Sequence, residues 1–167
     1  MTDPAQTMAE LTASFPHAGQ LQWIAVRPVK RGAMRVVNEV EVHTGLGLQG
    51  DHRMQRKPGG KRQVTLIQAE HLPAIAALSG HASVVPELLR RNLVVSGINL
   101  YALREQRFFI GEVLFEGSGI CAPCSRMEKN LGAGGYNAMR GHGGINARVI
   151  EGGVIRLGDS VRYLTAG

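Results

Sequence analysis

The stretch Ala147-Arg-Val-Ile-Glu-Gly-Gly-Val-Ile-Arg-Leu-Gly-Asp-Ser-Val-Arg-Tyr-Leu164 decides the fold class. Three short β-rich runs, Ala147–Ile150, Val154–Leu157 and Val161–Leu164, are separated by Gly152-Gly153 and Gly158-Asp159. Each run is too short for a helix, and Gly-Asp between two such runs reads as a hairpin turn. The same pattern extends upstream. Leu21–Val26, Gln63–Ile67, Asn92–Ser96, Phe108–Ile110 and Glu112–Phe115 are apolar runs bounded by glycine or proline. Val36–His43 reads as one strand, with Val36, Val40 and Val42 on one face and Glu39, Glu41 and His43 on the other. Helices are few: Gln68–Leu78, Pro86–Arg91 and Ser125–Leu131. A mainly β fold with a few short helices follows, in the form of a barrel or sandwich.

Residues 1–20 carry two prolines and no sustained periodicity, so they are expected to form a weakly structured lead-in to a single domain over 21–167. At 167 residues the chain is long enough to bury a core without disulfides. No apolar run approaches the roughly 18 residues of a membrane-spanning helix, so no membrane partner is expected. The first twenty residues hold Asp3 and Glu10 but no lysine or arginine. A secretory leader needs a basic start, so a cytoplasmic protein is expected.

The net charge is +6, and its distribution is uneven. Nine basic residues lie between Arg27 and Arg62, against only Glu39, Glu41 and Asp51, so this segment carries the whole excess. Such a field favours an anionic partner, a phosphate ligand or nucleic acid; the alternative is an ordinary solvated face.

Both cysteines lie in Cys121-Ala-Pro-Cys124, between a strand and a helix start. A thioredoxin-like pair would need a later cis-proline, and Pro123 is the last proline. A structural zinc site needs four ligands, and only His142 lies downstream. A third reading is a single reactive or metal-ligating thiolate, suited to a soft metal or to carrying sulfur as a persulfide. The fourth is a pair of incidental cysteines. Gly132–Gly144 follows, with six glycines in thirteen residues. It reads as a loop whose backbone N–H groups approach a phosphate or pterin, with Arg140 and His142 as further donors.

Taken in order, Arg27-Pro-Val-Lys-Arg31, Gly45-Leu-Gly47, Gly50-Asp51, Arg62-Gln-Val-Thr-Leu66, Glu70, Arg90-Arg-Asn-Leu-Val-Val95, Gly97, Cys121-Ala-Pro-Cys-Ser-Arg126, Gly143-Gly144, Ala147-Arg-Val149 and Gly158-Asp159 make up a pattern. It resembles the MOSC family, found at the C-terminus of molybdenum cofactor sulfurases and as stand-alone bacterial proteins. The match covers about residues 21–163. The resemblance implies a MOSC-like β-barrel, binding of the molybdenum cofactor (molybdopterin) and handling of its sulfur through one cysteine. Cys124 matches that residue and is the implied metal ligand; Cys121 is a second thiol. Relatives reduce N-hydroxylated compounds, so the implied role is a sulfur carrier or a small molybdenum-dependent reductase. An electron or sulfur donor is then a separate protein. The aminotransferase-like domain that binds pyridoxal phosphate in larger members is not seen, so no site for that cofactor is expected, although it belongs to the family's associations.

Molybdopterin is a phosphorylated anion with soft dithiolene sulfurs. Arg27, Lys30, Arg31, Arg62, Arg90, Arg91 and Arg126 are its expected positive wall, since arginine forks grip phosphate bidentately. Arg140, His142, Gly143 and Gly144 are the expected further contacts. Two rival classes remain: a phosphate-reading nucleic-acid module, and a CxxC thiol–disulfide protein. Aromatics are only 5% of the chain and none interleaves the basic run, so nucleic acid is the weaker reading.

Overall fold

The computed structural model describes residues 4–165. Among them the strands are β1 (Gly19–Val26), β2 (Arg35–Val37), β3 (Glu39–His43), β4 (Gly47–Leu48), β5 (Val64–Gln68), β6 (Leu93–Ser96), β7 (Arg107–Ile110), β8 (Val113–Ile120), β9 (Ile145–Glu151), β10 (Gly153–Arg156) and β11 (Ser160–Tyr163). The helices are α1 (Met8–Thr12), α2 (His71–Ser79), α3 (Pro86–Leu89), α4 (Ser125–Leu131) and α5 (Gly135–Met139).

Seven strands close into a mixed barrel in the order β11-β7-β8-β9-β5-β6-β1, with β1 returning to β11. All pairings are antiparallel except β5 with β6. A bulge between Leu21 and Trp23 turns β1. Its first residues pair with β11, and Ile24–Val26 pair with β2 instead. β10, β3 and β4 form a separate three-stranded sheet.

The barrel holds the larger core. Leu21, Ile24, Val64, Leu66, Leu93, Phe108, Phe115 and Val161 are fully buried there, the two phenylalanine rings stacked 5.7 Å apart. A second cluster lies between the barrel and the helices, where Ile67 and Val94 meet Ile75, Leu89, Met127, Leu131 and Met139. This layer fixes α4, and with it the cysteine motif.

Three local expectations are corrected. Val36–His43 is not one strand: it breaks at Asn38, Val40 and Val42 are buried in the small sheet, and Val36 is 48% exposed on β2. Alternation alone does not reveal that the two halves belong to different sheets. Gly158-Asp159 is not a hairpin turn, because β10 pairs with β3 while β11 pairs with β7 and β1. It is a corner between the sheets, pinned by Gly158 N–H donating to the Leu21 carbonyl at 2.8 Å. The glycine-rich stretch is not one loop either. It contains α5, capped at its start by Gly134 in the left-handed region (φ 87°) and buried through Ala138 and Met139.

Candidate functional site

One row across the barrel wall explains how distant residues meet. Ile120, Ile145, Leu66, Leu93 and Ile24 lie in register on β8, β9, β5, β6 and β1. β8 ends on this row, while β9 and β6 begin on it, and β1 ends two residues beyond. The chain therefore leaves the wall here at Cys121, Gly144, Asn92 and Arg27.

A buried polar network ties these exits together. The Asn92 side chain accepts from Thr65 N–H at 3.1 Å and donates to the Ala25 carbonyl at 3.1 Å and to Asp51 Oδ2 at 3.0 Å. Asp51 Oδ2 also accepts from Arg27 N–H at 2.9 Å, and Oδ1 from Arg53 N–H at 3.0 Å. Asp51 is 4% exposed, so these bonds are shielded from water and hold Arg27 and Arg53 in place.

Around this one acid gathers a group of arginines. Burial, then Arg90 and Arg53, lower the Arg27 pKa to about 10, with Asp51 pulling upward and Arg126 again lowering it. Arg90 is lowered by burial and by Arg126, and raised by Cys124. Arg53 is lowered chiefly by burial, and raised by Asp51 and Cys121. Arg27, Arg53, Arg90 and Arg126 thus act on one another, and Cys121 and Cys124 act on Arg53 and Arg90 respectively. Asp51 is already engaged with the backbone, so the group holds more positive charge than the protein answers. The Nε atoms of Arg27 and Arg90 are buried without a hydrogen-bond partner. Buried N–H groups are normally satisfied, so the unmet donors mark a place for an acceptor.

Cys121 is buried and Cys124 is exposed, at the cap position before α4. Arg91 is buried and spent on structure: it donates to the Gly143 carbonyl at 2.9 Å, to Leu89 at 2.8 Å and to Cys121 at 3.4 Å. It shapes the cysteine loop, while its neighbour Arg90 donates from Nη2 to the Gly32 carbonyl.

The other expected contacts are dispersed. Lys30 lines a neighbouring cleft with His52, Gln55 and Arg56. Arg31 is exposed on the turn before Gly32, at φ 65°. Arg62 lines a separate cavity with Arg53, Arg56, Lys57 and Lys61. Arg140 is exposed and bonded to Asn137. His142 sits edge-on to His71 of α2, ring centres 5.1 Å apart. Gly143 and Gly144 have a packing reason to be glycine: a Cβ would strike the Cys121 carbonyl at the first and the Leu66 carbonyl at the second.

Sequence reasoning assigned no role to Asp51, Arg53 or Asn92. The available signal was Asp51 itself, an acid within a strongly basic segment, where a buried counter-charge is the economical explanation.

The family model for the MOSC domain matches residues 39–162, most of the chain and all of the barrel except β1 and β11's last residue. The chain belongs to the MOSC domain family. That family is associated with molybdenum cofactor binding. Solved structures agree with the fold of this MOSC domain. The YuaD protein from Bacillus subtilis superposes with a TM-score of 0.75 at 19% identity, covering 87% of this chain and 94% of that one. YiiM from Escherichia coli gives 0.70 at 20% identity, covering 91% and 72%. YiiM from Geobacillus stearothermophilus gives 0.69 at 18%, covering 89% and 76%. No curated protein matches the sequence.

Proposed function

We propose that this MOSC domain binds the molybdenum cofactor at the arginine cluster Arg27, Arg53, Arg90 and Arg126, with Cys124 as its thiol. The observation that carries the reading is the pair of buried, unpartnered Nε–H donors on Arg27 and Arg90, two arginines that influence one another, with the exposed Cys124 thiol acting on Arg90. A phosphorylated, sulfur-bearing pterin fits that donor set: guanidinium groups hold the phosphate, and Cys124 offers the soft ligand that molybdenum favours. When bound, the cofactor supplies a metal able to exchange electron pairs with a substrate.

The chain's own residues have distinct tasks. Asp51 and Asn92 position Arg27 and Arg53 through the backbone. His52 is held below the ordinary histidine range, by burial first and by Arg27 and Arg53, so it stays neutral and adds no further repulsion. Its Nδ1–H donates to the Arg27 carbonyl at 3.1 Å, which steadies the same loop. Arg91 fixes Cys121 and Gly143, and so the path of the chain into Cys124.

The activity we assign is reduction of N-hydroxylated compounds. Converting N–OH to N–H releases water and consumes two electrons and two protons, the electrons coming from a separate donor protein. Sulfur carriage is the second reading, favoured by the exposure of Cys124: a persulfide there is accessible to a partner protein.

Metal and pterin analysis of protein purified anaerobically from a molybdate-fed host tests the binding. Wild type is expected to carry both, Cys124→Ser to lose the metal and the reductase activity, and Arg90→Gln to lose most of the pterin. Cys121→Ser is expected to keep both. If Cys124→Ser retains metal and activity, Cys124 is not the ligand; if wild type loads sulfane sulfur on Cys124 without reducing N-hydroxylated substrates, sulfur carriage takes the place of the reductase.

A further inference from the structure

A concavity of about 260 Å³ is lined by Arg53, Arg56, Lys57, Lys61 and Arg62 with Gly45, Leu46, Gly60 and Gln63. No carboxylate lines it. Arg53 lies 3.6 Å from the Asp51 carboxylate, but Arg56, Lys57, Lys61 and Arg62 have no ion pair among the described residues, and four such cations about one small hollow favour an anion.

The wall is also held in shape. Gly59 N–H donates to the Gly45 carbonyl at 2.9 Å, and Gln63 Nε2 donates to the Gly60 carbonyl at 2.9 Å. Gln63 Oε1 accepts from Val149 N–H at 2.8 Å, and the Ser118 hydroxyl donates to the Lys61 carbonyl. These bonds fasten the segment carrying the cations to β9 and β8 before any ligand arrives, which lowers the ordering cost of binding.

We propose that this cavity is a second anion subsite, taking a diphosphate group. The charge count favours a diphosphate over a single phosphate, because one phosphate neutralises too few of the four unpaired cations. Arginine forks and lysine point charges together suit its many oxygens. The concave form and the absence of aromatic lining residues favour a small anion over a nucleic-acid strand, which is held along an extended groove and stacked on aromatic rings. The subsite stands on its own residues and shares only Arg53 with the arginine cluster of the proposed cofactor. The diphosphate belongs either to a free small molecule or to the far end of a ligand that also reaches Cys124.

Calorimetric titration of the full chain with inorganic pyrophosphate at low ionic strength tests the proposal. Lys57 and Lys61 are exposed, so Lys57→Gln with Lys61→Gln leaves folding intact, checked by an unchanged Tm. The double variant is expected to bind pyrophosphate about tenfold more weakly, the loss expected for two charge-assisted contacts. Arg90→Gln, on the cofactor side, is expected to bind it within about twofold of wild type, since its contact lies outside this cavity. Absence of saturable binding to wild type, equal binding by the double variant, or an equal loss in Arg90→Gln would each overturn the subsite. Displacement of pyrophosphate by the pterin cofactor identifies one ligand spanning both places; simultaneous binding identifies two. Should the pyrophosphate results hold while no variant or wild type takes up cofactor, only the cofactor reading falls.

Discussion

Asp51 illustrates how much one side chain organises. It is buried, accepts from two backbone N–H groups and the Asn92 amide, and lies 3.6 Å from the Arg53 guanidinium. Asp51→Asn keeps the shape but turns an amide donor toward donors and removes the negative charge beside Arg53, so a loss of about 3 kcal/mol is expected. Chemical denaturation of the two proteins measures it; a change below about 1 kcal/mol would remove Asp51 from its central role. The arginines act in the opposite sense. Arg126 depresses both Arg27 and Arg90, so Arg126→Gln is expected to stabilise the ligand-free chain by about 0.5 kcal/mol, a small gain because solvent screens the group. The same variant should bind cofactor less tightly, and the two effects together separate function from stability. At this scale residue type and charge were enough to nominate Cys124, Arg27 and Arg90 as candidates. Asp51 and Asn92 were not legible, because their importance comes from burial between strands far apart in the chain.

α2 and the turn that follows α5 meet through His71 and His142, and this contact links packing to pH. Burial, then His142, hold His71 below the ordinary histidine value of 6.5, with Glu70 opposing. A histidine depressed in the folded state binds fewer protons than in the unfolded chain, so the stability it contributes is present above 6.5 and is lost as pH falls below it. His52 is depressed for a similar reason and adds to the same slope. Denaturation midpoints are expected to fall from pH 7 to about pH 5, less steeply in His71→Gln. An equally steep fall in the variant would assign the acid limb elsewhere. Gly144 gives a sharper test of how β9 approaches β5. Its φ is 85° and an added methyl would land on the Leu66 carbonyl, so Gly144→Ala is expected to cost about 3 kcal/mol or more, read as a lost or much lowered melting transition. The sequence showed α4 with its bounds, because polar and apolar residues alternate at helical spacing there. It hid α5, where glycines at the start and a run of only five residues mask the periodicity.

At the scale of the molecule, the β-rich class was legible from short runs bounded by glycine and the barrel from the family resemblance, whereas which strands close it was not. Closure depends on two residue pairs, Gly19 with Val161 and Gln20 with Ser160, between segments at opposite ends of the chain. No local pattern encodes such a partnership, and the misread hairpin at Gly158-Asp159 has the same origin. The interior it encloses is tightly filled: Phe108 and Phe115 are inaccessible to solvent. Phe115→Ala is expected to cost about 4 kcal/mol through lost burial and the cavity left behind, measured as a fall in the denaturation midpoint. A cost near 1 kcal/mol would mean that the barrel collapses to fill the space. The corner at Gly158-Asp159 also sets a clock for synthesis. β11 is made after every strand it joins, so the nascent chain carries unpaired backbone on β1 and β7 until those last residues leave the ribosome. Open strand edges are where chains pair with one another wrongly. Production of this protein is therefore most exposed to aggregation in the interval just before β11 emerges, and a stall placed there would yield more misassembled product than a stall placed after it.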